Sequence, residues 1–346
     1  MALSAGMLLS PAHTRQLYQH AVENKYAILA ANADSPAAIN DCLQVAKELD
    51  APIIIETSLW QLTGQSWGAG DPVLGMELYI DFLLGKGETE EYAEHPIVYH
   101  TDHIKGPFTL DILQYAIDLE ASSVSLDSSE MSHEENIDHM LQLCFHASEL
   151  ELKVTLEMEA GVDDGVTELE ETRELFGAVE TLAPGYLALW APGVGTKHGL
   201  GDVAGFSTEA IQQHQELASE LAGRPIGIAL HGSSGLTNDQ LQAAVQAGVA
   251  KVNWSSESLL TRSHAARDYY TENAEKLESG HAEFKVTAMD NGVQSYVSQK
   301  YQPKVKERIE TLGGAGQASK FIQTLLTCSK SPLPEQASWA RYIPKP

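Results

Sequence analysis

The chain has 346 residues, with 22 lysines and arginines against 48 acidic residues and a formal charge of −26. So acidic a surface repels nucleic acid and anionic membranes, and it leaves an anionic small molecule to be held by a local site against the overall field. Three scattered cysteines, a Met1–Ser10 segment without the basic and apolar parts of a signal peptide, and no long apolar run make a cytoplasmic protein without disulfides or a spanning helix the expectation.

Short apolar runs recur along the chain at Tyr26–Ala31, Pro52–Thr57, Pro96–Thr101, Ser122–Leu126, Lys153–Met158, Gly185–Trp190, Pro225–Leu230 and Val249–Asn253. Most do not alternate with polar residues, which is the pattern of strands buried on both faces of a parallel sheet. Helix-like stretches follow most of them. Asp111–Leu119 carries Ile112, Leu113, Ala116 and Ile117 at helical spacing, and His133–Leu150 carries Ile137, Leu141, Cys144 and Phe145. Thr237–Gly248 opens on a threonine cap and ends at a glycine. Eight strands alternating with helices predict a closed (β/α)8 TIM barrel. The competing open, doubly wound sheet brings a glycine-rich fingerprint after its first strand, and Ala30-Ala31-Asn32-Ala33-Asp34 is not one. The barrel is expected over about residues 26–260. Extra helices at about 261–346, interrupted by Gly313-Gly314-Ala315-Gly316, are expected to pack around it, so that 1–346 forms a single domain.

Polar residues end almost every predicted strand: Asn32, Ser58, Asp102 with His103, Asp127, Glu159, His198, His231 and Asn253. A barrel places its active site at that end of its strands, so residues remote in sequence converge there. Loop polarity alone accounts for serines and asparagines at such positions, but less well for three histidines and three acids. Of 13 histidines, His103, His198 and His231 stand apart because each follows a buried strand. Three imidazoles with an open fourth position form a usual catalytic zinc arrangement, suited to polarising a carbonyl oxygen. Asp102, beside a proposed ligand, is the candidate for proton transfer, the alternative being that it only orients a ligand. Asp127 and Glu159 fit either a second metal position or the orientation of the ligand histidines. His100 shares a strand face with Asp102 and is read as barrel filling or support, not as a ligand.

Gly232-Ser233-Ser234-Gly235, following His231, reads as a phosphate cradle, since glycines admit an anion to the backbone and a helix follows. Asn253-Trp254-Ser255-Ser256 after the eighth strand adds N–H and hydroxyl donors at the place where barrels often bind phosphate.

With these residues the sequence resembles the class II (zinc-dependent) fructose-bisphosphate aldolases and their ketose-bisphosphate relatives, from about Tyr26 to Gly316. Tyr99-His100-Thr101-Asp102-His103 is similar to the family's H-T-D-H, Thr155-Leu156-Glu157-Met158-Glu159 to its T-L-E-x-E, and Ser125-Leu126-Asp127 to the segment serving a second metal position. His198-Gly199 resembles its next zinc histidine, His231 its H-G-G-S-G histidine, and Ala250-Lys251-Val252-Asn253 a strand whose Asn contacts substrate. The resemblance implies zinc on His103, His198 and His231. It also implies a second divalent or monovalent cation near Asp127 and Glu159, with Asp102 as the proton-transfer group. Substrate contacts are implied at Asn32, Ser58, Gly199, Gly232, Ser233, Ser234, Gly235, Asn253, Ser255 and Ser256.

The departures lie around the substrate. The family's glycine-rich loop with its catalytic Glu is shortened to Gly161-Val162-Asp163-Asp164-Gly165, where the resemblance makes Asp163 the expected stand-in on a shorter side chain. The arginine for the distal phosphate falls near Gln302-Pro303-Lys304, so Lys304 is expected there, with charge but without a bidentate fork. Asn253-Trp254-Ser255-Ser256-Glu257 loses a pocket Asp and gains a tryptophan. The expected function is reversible cleavage of a phosphorylated, fructose-1,6-bisphosphate-like ketose to dihydroxyacetone phosphate and an aldehyde, by a homodimer. The rivals are action on another sugar phosphate, a metal-dependent hydrolase on the same barrel, a Schiff-base aldolase using Lys251, and a non-enzymatic partner subunit.

Overall fold

The computed structural model describes residues 8–106, 108–151, 154–161, 165–200, 203 and 205–328. Eight parallel strands, β1 (Ile28–Asn32), β2 (Ile53–Thr57), β3 (Ile97–Thr101), β4 (Ser123–Leu126), β5 (Leu156–Ala160), β6 (Leu187–Pro192), β7 (Gly227–Leu230) and β8 (Val249–Trp254), pair in that order, and β8 closes on β1. This is the expected (β/α)8 barrel. Every residue of every strand is buried, which is why most of the runs do not alternate between apolar and polar residues. β5 and β6 start later and run further than their apolar runs suggest. Glu159 consequently lies inside β5, paired with Ala191 of β6, instead of just beyond the strand.

Outward side chains such as Leu29, Ile53, Ile55 and Tyr99 pack beneath a ring of helices that includes Pro36–Glu48, Thr109–Asp118, His133–Glu149 and Asn238–Ala247. Local signals set their ends. Ser132 caps His133–Glu149 in a reciprocal box with Glu135, and Thr237 does the same with Gln240. Gly248 ends the second of these helices at φ 119°, a backbone state that glycine adopts without strain.

Inward side chains divide the barrel into two halves. Toward the N-terminal ends of the strands, Ile28, Ala30, Ile54 and Val98 pack against Leu17, Tyr18 and Ala21 of the helix Pro11–Glu23, which closes the floor. Further along the same strands the inward residues are ionisable: Glu56, His100, Glu157 and Lys251, all fully buried. The Lys251 ammonium lies 3.2 Å from Glu56 and 3.1 Å from Glu157, so the buried charge is paired. The helices Ser256–Glu272, Asp290–Thr311 and Ala318–Cys328 complete the described chain, with Asp290–Thr311 lying against both Ser256–Glu272 and Pro36–Glu48. Among the described residues no helix is long and apolar enough to cross a membrane.

Candidate metal centre and active site

Successive residues of an extended strand face opposite ways, so Asp102 and His103 would normally point to different sides. His103 instead has φ 48°, a left-handed backbone state that costs a non-glycine residue about 1 kcal/mol or more. That turn brings both side chains to the barrel mouth. His231 follows the last residue of β7, and His198 comes from the loop after β6. The Thr196 hydroxyl ties this loop down by donating to the His231 carbonyl at 2.9 Å. Gly232 lies so close to the same loop that a Cβ would sit 2.7 Å from the Lys197 carbonyl oxygen, which is why this position requires glycine.

The three imidazoles converge. His103 Nε2 lies 2.7 Å from His198 Nε2 and 3.0 Å from His231 Nδ1. Carboxylates fix which nitrogen each buried ring turns inward. Asp127 accepts from His103 Nδ1 at 2.8 Å, and Glu157 accepts from His231 Nε2 at 2.9 Å. In the neutral rings those bonds leave a lone pair on His103 Nε2 and another on His231 Nδ1, facing each other. Two facing lone pairs repel unless an electrophile lies between them, so the donor chemistry fits a cation, with carboxylates supporting the ligand histidines from behind. Without an ion a proton takes its place. Burial disfavours a charged His103, but Glu159, Asp102 and Asp127 outweigh it and hold the ring well above its usual pKa. A second grouping, Asp102, His103, Glu159 and His231, could also hold an ion, and the buried Glu159 Oε2 has no hydrogen-bond partner. Burial pushes the Glu159 carboxyl up to about 7.

Asp102 is held at both oxygens. Asn32 donates to Oδ2 at 2.9 Å and Asn253 donates to Oδ1 at 2.8 Å. Burial would raise this carboxyl, but His103, His231 and Lys251, with the Asn32 bond, bring it down to about 2. The Asn253 amide has only one workable orientation. Lys251 can only donate, and it meets Asn253 Oδ1 at 2.7 Å, so the NH2 group must face Asp102. Lys251 itself is enclosed by Glu56, Glu157 and Asn253, and its ammonium is held above the usual lysine range despite burial. A Schiff-base nucleophile must be neutral and reach the substrate, and this lysine does neither.

Above these groups opens a cavity of about 460 Å³ lined by Asp102, His103 and His198 together with loop residues from around the mouth. Asn32, Ser58, Gly199, Gly232, Ser233, Ser234, Asn253, Ser255 and Ser256 all line it, so the structure gathers nearly all of the residues expected at the substrate. Gly235 ends the turn Ser233–Gly235 without lining the cavity. Asp127 and Glu159 lie beside His103, 2.8 and 3.2 Å from its Nδ1. Asp163 lies outside the described residues. Lys304 does not reach the cavity. Tyr301, Val305 and Arg308 form the buried stripe of their helix, which turns Lys304 outward to pair with Glu307 at 2.8 Å.

The sequence matches the family description "Fructose-bisphosphate aldolase class-II" over residues 12–317. The chain belongs to the class II fructose-bisphosphate aldolase family. It is an aldolase, a carbon–carbon lyase, of a family that acts on phosphorylated sugars. It is similar to the fructose-bisphosphate aldolase of Streptococcus pyogenes serotype M1, with 27% identity over 310 residues covering 87% of this chain and 97% of that one. The Streptococcus pneumoniae enzyme is 28% identical over 309 residues, with the same coverage of each. The fold is shared with the fructose-bisphosphate aldolase of Campylobacter jejuni, at TM-score 0.77 and 22% identity over 90% of this chain and 97% of that chain. It is also shared with the YdjI aldolase of Escherichia coli, at TM-score 0.66 and 19% identity over 88% and 98%.

Within this aldolase, Glu157 and the orienting role of Lys251 escaped the sequence reading, although strand alternation could have found them. Glu157 lies two residues before Glu159 and Lys251 two before Asn253, so each shares its partner's inward face. Leu59, Trp60 and Lys105 also line the cavity. Leu59 and Trp60 open the one-turn helix Leu59–Leu62 and Lys105 sits on the loop after β3, segments too short for a periodic pattern to mark them.

Proposed function

We propose that this aldolase holds zinc on His103, His198 and His231 and reversibly cleaves a phosphorylated ketose into dihydroxyacetone phosphate and an aldehyde. The observation that carries this reading is the convergence of three imidazole nitrogens beside a carboxylate fixed by two amides. When bound, zinc supplies Lewis acidity toward the carbonyl of the ketose. The protein's own groups do the rest. Gly232, Ser233, Ser234, Ser255 and Ser256 line the cavity and offer backbone N–H groups, with the hydroxyls of Ser255 and Ser256, to one phosphate at the start of the helix Ser256–Glu272, while the Ser233 hydroxyl donates to the Asn253 carbonyl. Asp102 takes the proton from the C4 hydroxyl as the C3–C4 bond breaks, and the electron pair of that bond stays on the dihydroxyacetone phosphate half. A proton then returns to that carbon, a role we assign to Asp163. Asp102 stays ionised throughout the working pH range, ready to accept.

The test is product analysis with a panel of ketose phosphates, with and without a chelator. Triose products that vanish on chelation and return with zinc are expected. Asp102→Asn should retain zinc and lose about 10²–10⁴-fold in kcat. Phosphate release without carbon–carbon cleavage would instead identify a hydrolase.

A further inference from the structure

The cavity spans two unlike walls. β7 and β3 are four strands apart in a closed ring of eight, so their loops face each other across the mouth. The β7 and β8 loops carry the donors just described. Another side of the mouth, formed by Ser58 and the short helix Leu59–Leu62 after β2, three strands from β7, and by the loop after β3, presents Ser58, Leu59, Trp60 and Lys105. Trp60 is 87% exposed although it lines the cavity. An indole so exposed adds nothing to the core, and its flat apolar face lies open at the substrate entrance.

Among the described residues, this side of the mouth is poor in positive charge for an anion. Among the described residues that line the cavity, Lys105 is the one lysine or arginine. Its ammonium already sits 3.0 Å from Asp127 and 3.1 Å from Glu130, and Asp127 also holds His103. Recruiting Lys105 to a distal phosphate would take it from a carboxylate that orients a ligand histidine. Lys304 is turned away on the outer helix. The overall charge of −26 adds its own repulsion. Phe108, just beyond Lys105 in sequence, is a further exposed aromatic residue.

Building on the proposed aldol cleavage, we infer that the substrate carries a single phosphate, held by the loops after β7 and β8, and that its aldehyde-derived end is uncharged and lies against Trp60. The substrate class is a ketose 1-phosphate, not a 1,6-bisphosphate. A dianion at the far end would be desolvated without a free partner, whereas the C–H face of an uncharged polyol gains contact with the indole.

The zinc-loaded protein should be given dihydroxyacetone phosphate and, in parallel, D-glyceraldehyde or D-glyceraldehyde 3-phosphate. The expected result is a kcat/KM about tenfold or more higher for the unphosphorylated aldehyde, and likewise for fructose 1-phosphate over fructose 1,6-bisphosphate in cleavage. Trp60→Ala should shrink this preference by about tenfold, mainly through KM, with its zinc content retained. Because Trp60 is solvent-exposed, the variant keeps the core intact. Preference for the phosphorylated aldehyde, or a preference unchanged in Trp60→Ala, would overturn the inference. Exchange of solvent protons into dihydroxyacetone phosphate, measured without any aldehyde, separates the two levels. Exchange with the wrong aldehyde preference sinks this inference alone, and no exchange sinks the proposed cleavage and this inference with it.

Discussion

The two halves of the barrel interior are made by the same strands and obey opposite rules. Along β2 the inward residues run Ile54 then Glu56. Along β3 they run Val98, then His100, then Asp102. The lower positions bury carbon against Tyr18 and Leu17. The upper positions bury charge in a network that joins Lys251, Glu157 and Asn253 to Asp102 and His231. Both halves stand on the same eight strands, so strand order alone does not separate stability from chemistry. The separation comes from one inward turn of side chains to the next, with the apolar layer supplying the rigidity on which a costly polar layer can be held.

The sharpest way to break this contrast is Lys251→Met. It strands Glu56 and Glu157 in the interior, and a broken buried pair costs about 3–5 kcal/mol. Chemical denaturation should register that loss, with partial recovery in Lys251→Met with Glu56→Gln. Aldol turnover should stay low even in the recovered protein, because the Asn253 amide no longer has its fixed orientation toward Asp102. Ile54→Ala probes the other half. A cavity there should cost about 2–5 kcal/mol of stability while the folded fraction keeps its kcat. Equal loss of kcat and stability would erase the proposed division. Glu157→Gln is a milder change on the polar side. It keeps the shape but weakens the acceptor behind His231, and zinc affinity measured by competition with a chromogenic chelator should fall about 10–100-fold. The smallest effect is expected at the outer helix. Lys304→Ala removes an exposed ion pair with Glu307, so stability should move by less than about 0.5 kcal/mol and KM for a ketose phosphate should not change.

The polar half was largely legible in the sequence because its residues fall at strand ends and at alternate strand positions. His103, His231, Asp102, Asn32 and Asn253 lie at or just past the ends of buried runs, whereas His198 lies in the loop after β6. The left-handed turn that makes neighbours Asp102 and His103 face the same way leaves no trace in composition. The pairing of Lys251 with two glutamates joins β8, β2 and β5, so it emerges only once the barrel closes. The rim was the least legible part. Trp60 and Lys105 line the cavity from a one-turn helix and a loop, too short for a periodic pattern, and Lys304 was expected at the pocket from motif position although helix phase turns it outward. Strands transmit direction along the chain, and loops do not.

The central claim is that three imidazoles gather one ion. It is tested most directly by zinc titration of the metal-stripped wild type beside His103→Ala, His198→Ala and His231→Ala, with folding checked by circular dichroism. One tightly held zinc per chain, greatly weakened in each folded variant, is the predicted result. Undiminished zinc binding after loss of any one of these rings, or a wild type that binds none and still cleaves its ketose, would contradict it.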